Sequence, residues 1–504
     1  MLASVATFAI EGIESREVTV EVDLRRGLPV FTVVGLPDRA VREARERVRA
    51  ALLNSDLEFP LQRLTANLAP AHLRKAGPSF DLALAVAVLT ASGQLDGEEL
   101  EGCAVSGELS LSGGLRPSFG AVAVAAGARR AGYRRLVVPV ENAGEAALVD
   151  GLEVLGVPTL ERLVAFVRGE WRPPSAEPAR PEPLRADDPD LADVCGQVGA
   201  RRALEIAAAG GHNLLMVGPP GVGKTMLARR IAGILPPPGH DEAVEITQVL
   251  SVAGIGSGRL ASRRPFRSPH HTISASGLVG GGGLPRPGEI TLAHRGVLFL
   301  DELAEFSRSA LEALRQPLES GHVEVMRGQR TIRFPAAAML VGACNGCPCA
   351  RSGGECTCNE VDLARYHRRL SGPLLDRIDM VCALSPEPLH AVGPDDRPPE
   401  SSARVRARVI EARDRQRERL AGSGVSCNAR MGVRQTRRSL GLAAGAGDRV
   451  AAALRGGALT ARGHDRVLRV ARTIADLEGR TRVAPRHVDE ALSYRLGVST
   501  AVAA

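Results

Sequence analysis

The sequence predicts a multidomain α/β protein, and three observations carry that reading. Asn213-Leu214-Leu215-Met216-Val217 is an apolar run that leads into Gly218-Pro219-Pro220-Gly221-Val222-Gly223-Lys224-Thr225, and Met226 to Ala232 reads as a helix. A buried strand, a glycine-rich turn and a helix therefore stand in the order of a phosphate-binding loop. Strand and helix signals alternate on both sides of it, the pattern of an α/β core with a parallel sheet, whereas the C-terminal part reads as helix alone. Two proline-rich breaks, Trp171 to Pro189 and Pro386 to Pro399, divide the 504 residues into a first domain 1–170, a linker 171–190, a core 191–385, a second linker 386–400 and a helical domain 401–504.

In the first domain, Val18, Val20 and Val22 alternate with Thr19 and Glu21, and Val30-Phe31-Thr32-Val33-Val34 supplies a second strand. Asp38 is placed to cap a helix that runs to about Leu53. Alternating β and α signals continue to about Arg168.

The core carries the chemistry. In the 218–225 loop the glycines let backbone N–H groups close around phosphates at a helix N-terminus, Lys224 reaches the β and γ oxygens, and Thr225 offers its hydroxyl to Mg²⁺. The chain has 62 arginines and two lysines, Lys75 and Lys224, so one lysine is kept where a compact ammonium suits phosphate. Val297-Leu298-Phe299-Leu300 is a buried strand that delivers Asp301 and Glu302 to the same sheet edge, Asp301 for the Mg²⁺ shell and Glu302 to polarise the attacking water. Ala337 to Cys344 is a further apolar strand, and Asn345 at its end is placed between the γ-phosphate and the water; a plain strand-end turn is the alternative. Ser371 to Asp379 puts Arg377 at the end of a short helix, either as an arginine finger for a neighbouring subunit's ATP or in an ion pair with Asp376 or Asp379.

Cys347-Pro348-Cys349 and Cys356-Thr357-Cys358 form two C-x-C pairs on one loop, a ligand set for a tetrahedral Zn²⁺; thiols beside an active site are the alternative. The nine cysteines are odd in number and clustered, which argues against a secreted disulfide framework. No apolar run reaches membrane-spanning length and no basic leader precedes Glu11, so a cytoplasmic protein without a membrane partner is expected.

In the helical domain one helix starts near Ser401/Ser402 and carries Arg404, Arg406, Arg408, Arg413, Arg415, Arg417 and Arg419; the last helix opens with Pro485 in its first turn. Residues 401–504 hold 21 Arg against 9 Asp and Glu, +12 of a chain total of +7. That balance fits contact with a polyanion as well as it fits a solvated helical surface. Aromatic content is 3%, so base stacking is not the expected mode of nucleic-acid binding, and backbone electrostatics is.

These motifs together resemble the AAA+ ATPases of the magnesium-chelatase-like branch. Arg267-Ser268-Pro269-His270-His271-Thr272 and Pro287 to Gly296 resemble that branch's helix-2 insert, which projects toward a ring's pore, and Glu319 to Val325 resembles the hairpin before sensor 1. His270-His271 reads as a polar hairpin tip, with a metal site as the lesser alternative. Gly77-Pro78-Ser79, Gly107-Glu108-Leu109-Ser110-Leu111 and Leu136 to Asn142 resemble the Lon protease domain, yet Val122 stands where that family's lysine base belongs. Lys75 precedes Ser79 and is not at the motif position. Across nearly the whole chain the sequence resembles the ComM/YifB family.

The resemblance implies a Lon-protease-like α/β N-terminal domain without peptidase activity, an AAA+ P-loop core and a C-terminal helical lid. It implies ATP and Mg²⁺ as cofactors, held by Gly218, Pro219, Pro220, Gly221, Val222, Gly223, Lys224, Thr225 and Asp301. Glu302, Asn345 and Arg377 act on the reaction, with a sensor 2 arginine from the lid, for which Arg462 is favoured over Arg469. A homohexameric ring working as a helicase or branch-migration motor on single-stranded or branched DNA, with low sequence specificity, follows from the same resemblance. Its rivals are a chelatase-type motor that remodels a protein partner, an ATP-dependent protease, and an ATP-dependent scaffold.

Overall fold

A computed structural model of the chain describes residues 1–183, 189–282, 285–327, 330–349, 356–369, 372–386, 400–457 and 459–501. Most of the second proline-rich break therefore lies outside the described residues. The chain forms two compact units.

The first unit holds residues 1–183 together with 239–262 and 326–333. Its sheet has seven strands: β1 (Leu2–Glu11), β2 (Glu14–Arg25), β3 (Val30–Val34), β4 (Arg63–Ala69), β5 (Cys103–Val105), β6 (Arg135–Pro139) and β7 (Glu153–Val157), in the order β3-β4-β2-β1-β5-β6-β7. The period-2 pattern of β2 is real burial: Val18, Val20 and Val22 are fully buried, as are Ala66 and Leu68 on β4. Helix α1 (Arg39–Leu53) starts where its cap predicts, with Asp38 Oδ1 accepting from Val41 N at 2.9 Å. Helices α2 (Asp81–Ala91) and α3 (Ala121–Arg130) are apolar nearly all round and fill the space beside the sheet.

The segment 239–262 was expected within the 191–385 core, and it packs with the first unit instead. Its helix, His240–Ala253, donates from Gln248 Nε2 to Ile13 O (2.6 Å) and accepts at Ser251 Oγ from Gly120 N (3.0 Å).

The second unit is built on five parallel strands: β8 (Leu214–Val217), β9 (Phe266–Arg267), β10 (Val297–Leu300), β11 (Met339–Cys344) and β12 (Met380–Ala383), ordered β9-β10-β11-β8-β12. β8 and β10 are buried on both faces, which is why they read as unbroken apolar runs rather than as alternation. α4 (Val198–Gly210), α5 (Lys224–Ile234), α7 (Ser402–Arg419), α8 (Ala461–Leu477) and α9 (Pro485–Ala501) share one hydrophobic core with this sheet, where α6 (Glu360–Arg369) leads out of the cysteine loop. The helical block is thus part of the same compact unit as the P-loop.

The segment Pro287–Gly296 departs from the expected pore-facing insert. Ile290, Thr291 and Ala293 are fully buried, and Glu289 receives a two-point bond from Arg267 at 2.7 and 2.8 Å. A segment that fills the core cannot also project from it. The hairpin expected from Glu319 onward is present as the strands His322–Arg327 and Arg330–Pro335.

Candidate nucleotide site and a second cavity on the opposite sheet edge

The loop 218–225 leaves β8 at the C-terminal edge of the sheet and ends in α5. Gly221 and Gly223 take φ of 81° and 89°, a region that side chains avoid, so the turn needs both glycines. An added Cβ at Gly221 would meet nothing within 4 Å, so the loop's outer face is open. Lys224 Nζ curls back onto Gly218 O (2.6 Å), Pro219 O (2.8 Å) and Asn345 Oδ1 (3.0 Å). Burial pulls its ammonium below the ordinary value, against the opposing pull of Cys344 and Asp301. Asn345 is thus brought from the end of β11 onto the loop's lysine, and its carbonyl accepts from Tyr366 OH (3.1 Å) on α6. Cys344 before it is a buried strand residue whose thiol burial pushes up to about 12.

Thr225 Oγ1 donates to Asp301 Oδ2 at 2.7 Å, across the gap between α5 and the end of β10. These are two hard oxygen donors beside the glycine loop, and they fit Mg²⁺. Glu302 follows at φ 51°, a left-handed conformation that costs a non-glycine residue energy and turns the carboxylate outward, 60% exposed. Its Oε2 lies 3.3 Å from His271 Nδ1. The His271 contact was not read from the sequence, because thirty residues and a strand separate the two and no local pattern links them. His270 bonds Thr272 Oγ1 (2.9 Å). The His270-His271 pair forms no metal cluster: among the described residues the one group of three or more potential ligands is Cys347, Cys349, Cys356 and Cys358.

Arg377 and Arg462 lie elsewhere. Asn213 precedes β8 and Arg377 precedes β12, and the two are joined by Asn213 Nδ2 donating to Arg377 O at 2.9 Å. With β8 and β12 parallel and Leu214 opposite Met380, both residues sit on the N-terminal edge, about 16 Å of extended chain from Gly218. There a cavity of about 390 Å³ is lined by Arg377, Arg430, Arg462, Arg466 and Arg469, with Glu319, Asp379 and Asp465 among them. Arg377 donates to Arg315 O (2.8 Å) and pairs with Glu319, not with Asp376 or Asp379. Asp379 instead receives Asn213 N (2.9 Å) and Arg466 (3.2 Å). Burial alone would raise its carboxyl; the neighbouring His212 and Arg466 and the bond from Asn213 N outweigh that and hold it below the ordinary range.

The arginines of α7 are largely spent inside the unit. Arg408 bridges Glu205 (2.6 Å) and Glu400 (2.8 Å), Arg413 donates twice to Ala208 O (3.2 and 2.9 Å), and Arg419 forks onto Asp476 (2.7 Å). Arg415 donates to Asp476 O at 2.8 Å. Arg404 and Arg417 are the exposed members, at 76% and 62%. The row of seven arginines expected as a polyanion face is, for the most part, the set of clamps that docks α7 on α4 and α8.

In the first unit, Ser79 sits in a short 3₁₀ turn (Pro78–Phe80) and Val122 is fully buried in α3. Lys75, also fully buried, donates from Nζ to Gly35 O and Pro70 O, so two of its N–H groups are committed to the backbone. No described helix is long and apolar enough to cross a membrane.

Residues 190–391 match the family described as "Magnesium chelatase, subunit ChlI", residues 20–142 match "Subunit ChlI of Mg-chelatase", and residues 399–495 match "Magnesium chelatase, subunit ChlI C-terminal". The chain is 43% identical over 499 residues to the uncharacterized protein YifB of Salmonella typhimurium, covering 98% of this chain and 97% of that protein. It is 42% identical over 500 residues to the competence protein ComM of Haemophilus influenzae, with coverage of 98% and 97%. A shorter similarity, 30% identity over 159 residues, links 30% of this chain to 27% of Lon protease 2 of Bacillus subtilis.

Proposed function

The chain belongs to the magnesium chelatase ChlI-type family that includes YifB and ComM, and from that premise we propose that it is a ring-forming AAA+ ATPase that couples ATP hydrolysis to the remodelling of DNA. The observation that carries the ATPase reading is the convergence, on one sheet edge, of Lys224, the Thr225–Asp301 pair at 2.7 Å, Asn345 and the outward-turned Glu302. Lys224 holds the β and γ oxygens once its bonds to Gly218 O and Pro219 O are exchanged for phosphate. Thr225 and Asp301 would hold Mg²⁺, which would supply positive charge to offset that of the nucleotide's phosphates. Asn345 orients the water and Glu302 takes its proton. His271 holds Glu302 until nucleotide draws it in.

Arg377 and Arg462 share a cavity on the far edge, so neither acts on its own chain's nucleotide. A neighbouring copy in a closed ring, a hexamer in this proposal, would present its phosphates there, and the arginines serve as finger and sensor in trans. Glu319 neutralises Arg377 meanwhile and is displaced on assembly. The first unit, with Val122 at the base position and Lys75 bonded to backbone, acts as a ring tier without peptidase chemistry. Nine cysteines outside disulfides suit a reducing cytoplasm.

DNA as substrate rests on the relationship to a competence protein and on the +12 of residues 401–504. The engagement of Arg408, Arg413, Arg415 and Arg419 within the unit favours a second reading, a motor that remodels a protein partner. ATPase rates with single-stranded, duplex and four-way-junction DNA separate the two. Stimulation by at least one form is expected, and none by any form would leave the protein-remodelling motor.

A further inference from the structure

The four sulfur atoms of Cys347, Cys349, Cys356 and Cys358 all lie within 4.8 Å of one another. Cys347 to Cys349 is 3.3 Å, Cys349 to Cys356 is 3.6 Å and Cys347 to Cys356 is 3.8 Å. A tetrahedron of thiolates about 2.3 Å from one Zn²⁺ has its sulfurs about 3.8 Å apart. Disulfides need about 2.05 Å, and none of the nine cysteines forms one. An iron–sulfur cluster would spread four thiolates over several irons and so hold them farther apart than this. Contact among thiols alone is weak and does not repay ordering two separate C-x-C turns onto one point.

We propose that these four cysteines hold a single structural Zn²⁺ that fixes the geometry of the Asn345 turn. All four positions are filled by protein, so the ion has no open place for water and no direct part in chemistry. Each thiol releases its proton to solvent as the metal binds. The first ligand, Cys347, stands two residues after Asn345, and the last, Cys358, stands two before α6, which begins at Glu360. From α6, the buried Tyr366 bonds Asn345 O at 3.1 Å, and Asn345 Oδ1 receives Lys224 at 3.0 Å. The metal therefore closes a loop whose two ends both bear on Asn345.

Zinc occupancy stands apart from the ATPase reading, while its effect on turnover rests on it. Full-length protein purified without chelator is analysed for metals and reconstituted with Co²⁺. About one zinc per chain is expected, with the visible bands of tetrahedral thiolate-bound cobalt. Cys356→Ser, at an exposed position, should lose metal to a chelator, and Cys356→His should keep it as a three-cysteine, one-histidine site. In Cys356→Ser kcat should fall tenfold or more with ATP affinity within about threefold, and Cys356→His should recover it. Zinc below about 0.2 per chain, or iron in its place, overturns the site. Loss of zinc from Cys356→Ser with an unchanged kcat overturns the coupling to Asn345.

Discussion

Replacing Glu302 separates two consequences of its geometry. At φ 51° a side chain costs about 1–2 kcal/mol relative to glycine. A glycine there gives back about 0.5–1 kcal/mol through the freedom it adds to the unfolded chain. The carboxylate is 60% exposed and its contact with His271 is an exposed pair, worth about 0–1 kcal/mol. Glu302→Gly should therefore lie between about 1 kcal/mol less stable and about 1.5 kcal/mol more stable than the parent, centred slightly on the stabilising side, where glycine at an ordinary loop or helix position costs about 1 kcal/mol. Loss of the base should lower kcat about 10²- to 10⁴-fold, some 2.7–5.5 kcal/mol of activation free energy. Glu302→Gln should show the same fall in kcat with ATP affinity retained and stability within about 0.5 kcal/mol. Thermal denaturation and steady-state ATPase with matched ATP-binding measurements check all three. A Glu302→Gly protein less stable than the parent by more than about 1 kcal/mol, or a Glu302→Gln protein with unchanged kcat, would refute the reasoning.

Other consequences follow from the same contacts. Arg413→Glu strands Ala208 O, about 1–3 kcal/mol, and sets a carboxylate at the C-terminus of α4, about 0.3–1 kcal/mol more; at about 2–4 °C per kcal/mol, a melting temperature roughly 3–16 °C lower is expected. Arg417→Glu, at an exposed site, should shift stability by less than about 0.5 kcal/mol, and if α7 touches DNA it should flatten the salt dependence of binding. Asp379 has a folded pKa below its unfolded value of about 3.9, so its contribution is full above that pH and is lost as pH falls through the folded value. The melting-temperature gap between parent and Asp379→Asn should hold from about pH 5 to 7 and close below about pH 4; a gap that widens in acid would contradict the assignment.

The elements that form by local rules were legible in the sequence. The P-loop strand, the Asp301-Glu302 strand, the cap at Asp38 and the helix start near Ser401/Ser402 are set by runs of apolar residues and by polar side chains that bond a nearby N–H, and each lies where its pattern puts it. What failed depended on partners distant in the chain. Residues 239–262 follow the P-loop helix in sequence, yet their apolar face is completed by residues of the first unit. The arginines of α7 look alike as letters, and whether one is a clamp or a solvated charge is decided by which carbonyls and carboxylates of α4 and α8 come opposite. Arg377 was legible as an arginine at the end of a short helix; its partner Glu319 was not, since nothing in the sequence brings residue 319 to that edge.

In the proposed ring each nucleotide is completed by two copies of the chain, Lys224 from one and Arg377 from the other. Mixing Lys224→Ala with Arg377→Ala tests it most directly. Each variant alone should be inactive, and equal mixing into confirmed rings should rebuild about a quarter of the interfaces with both residues intact. ATPase activity that appears only on mixing and peaks near equal ratio is the predicted result. No activity at any ratio, with mixed rings demonstrated, would contradict it.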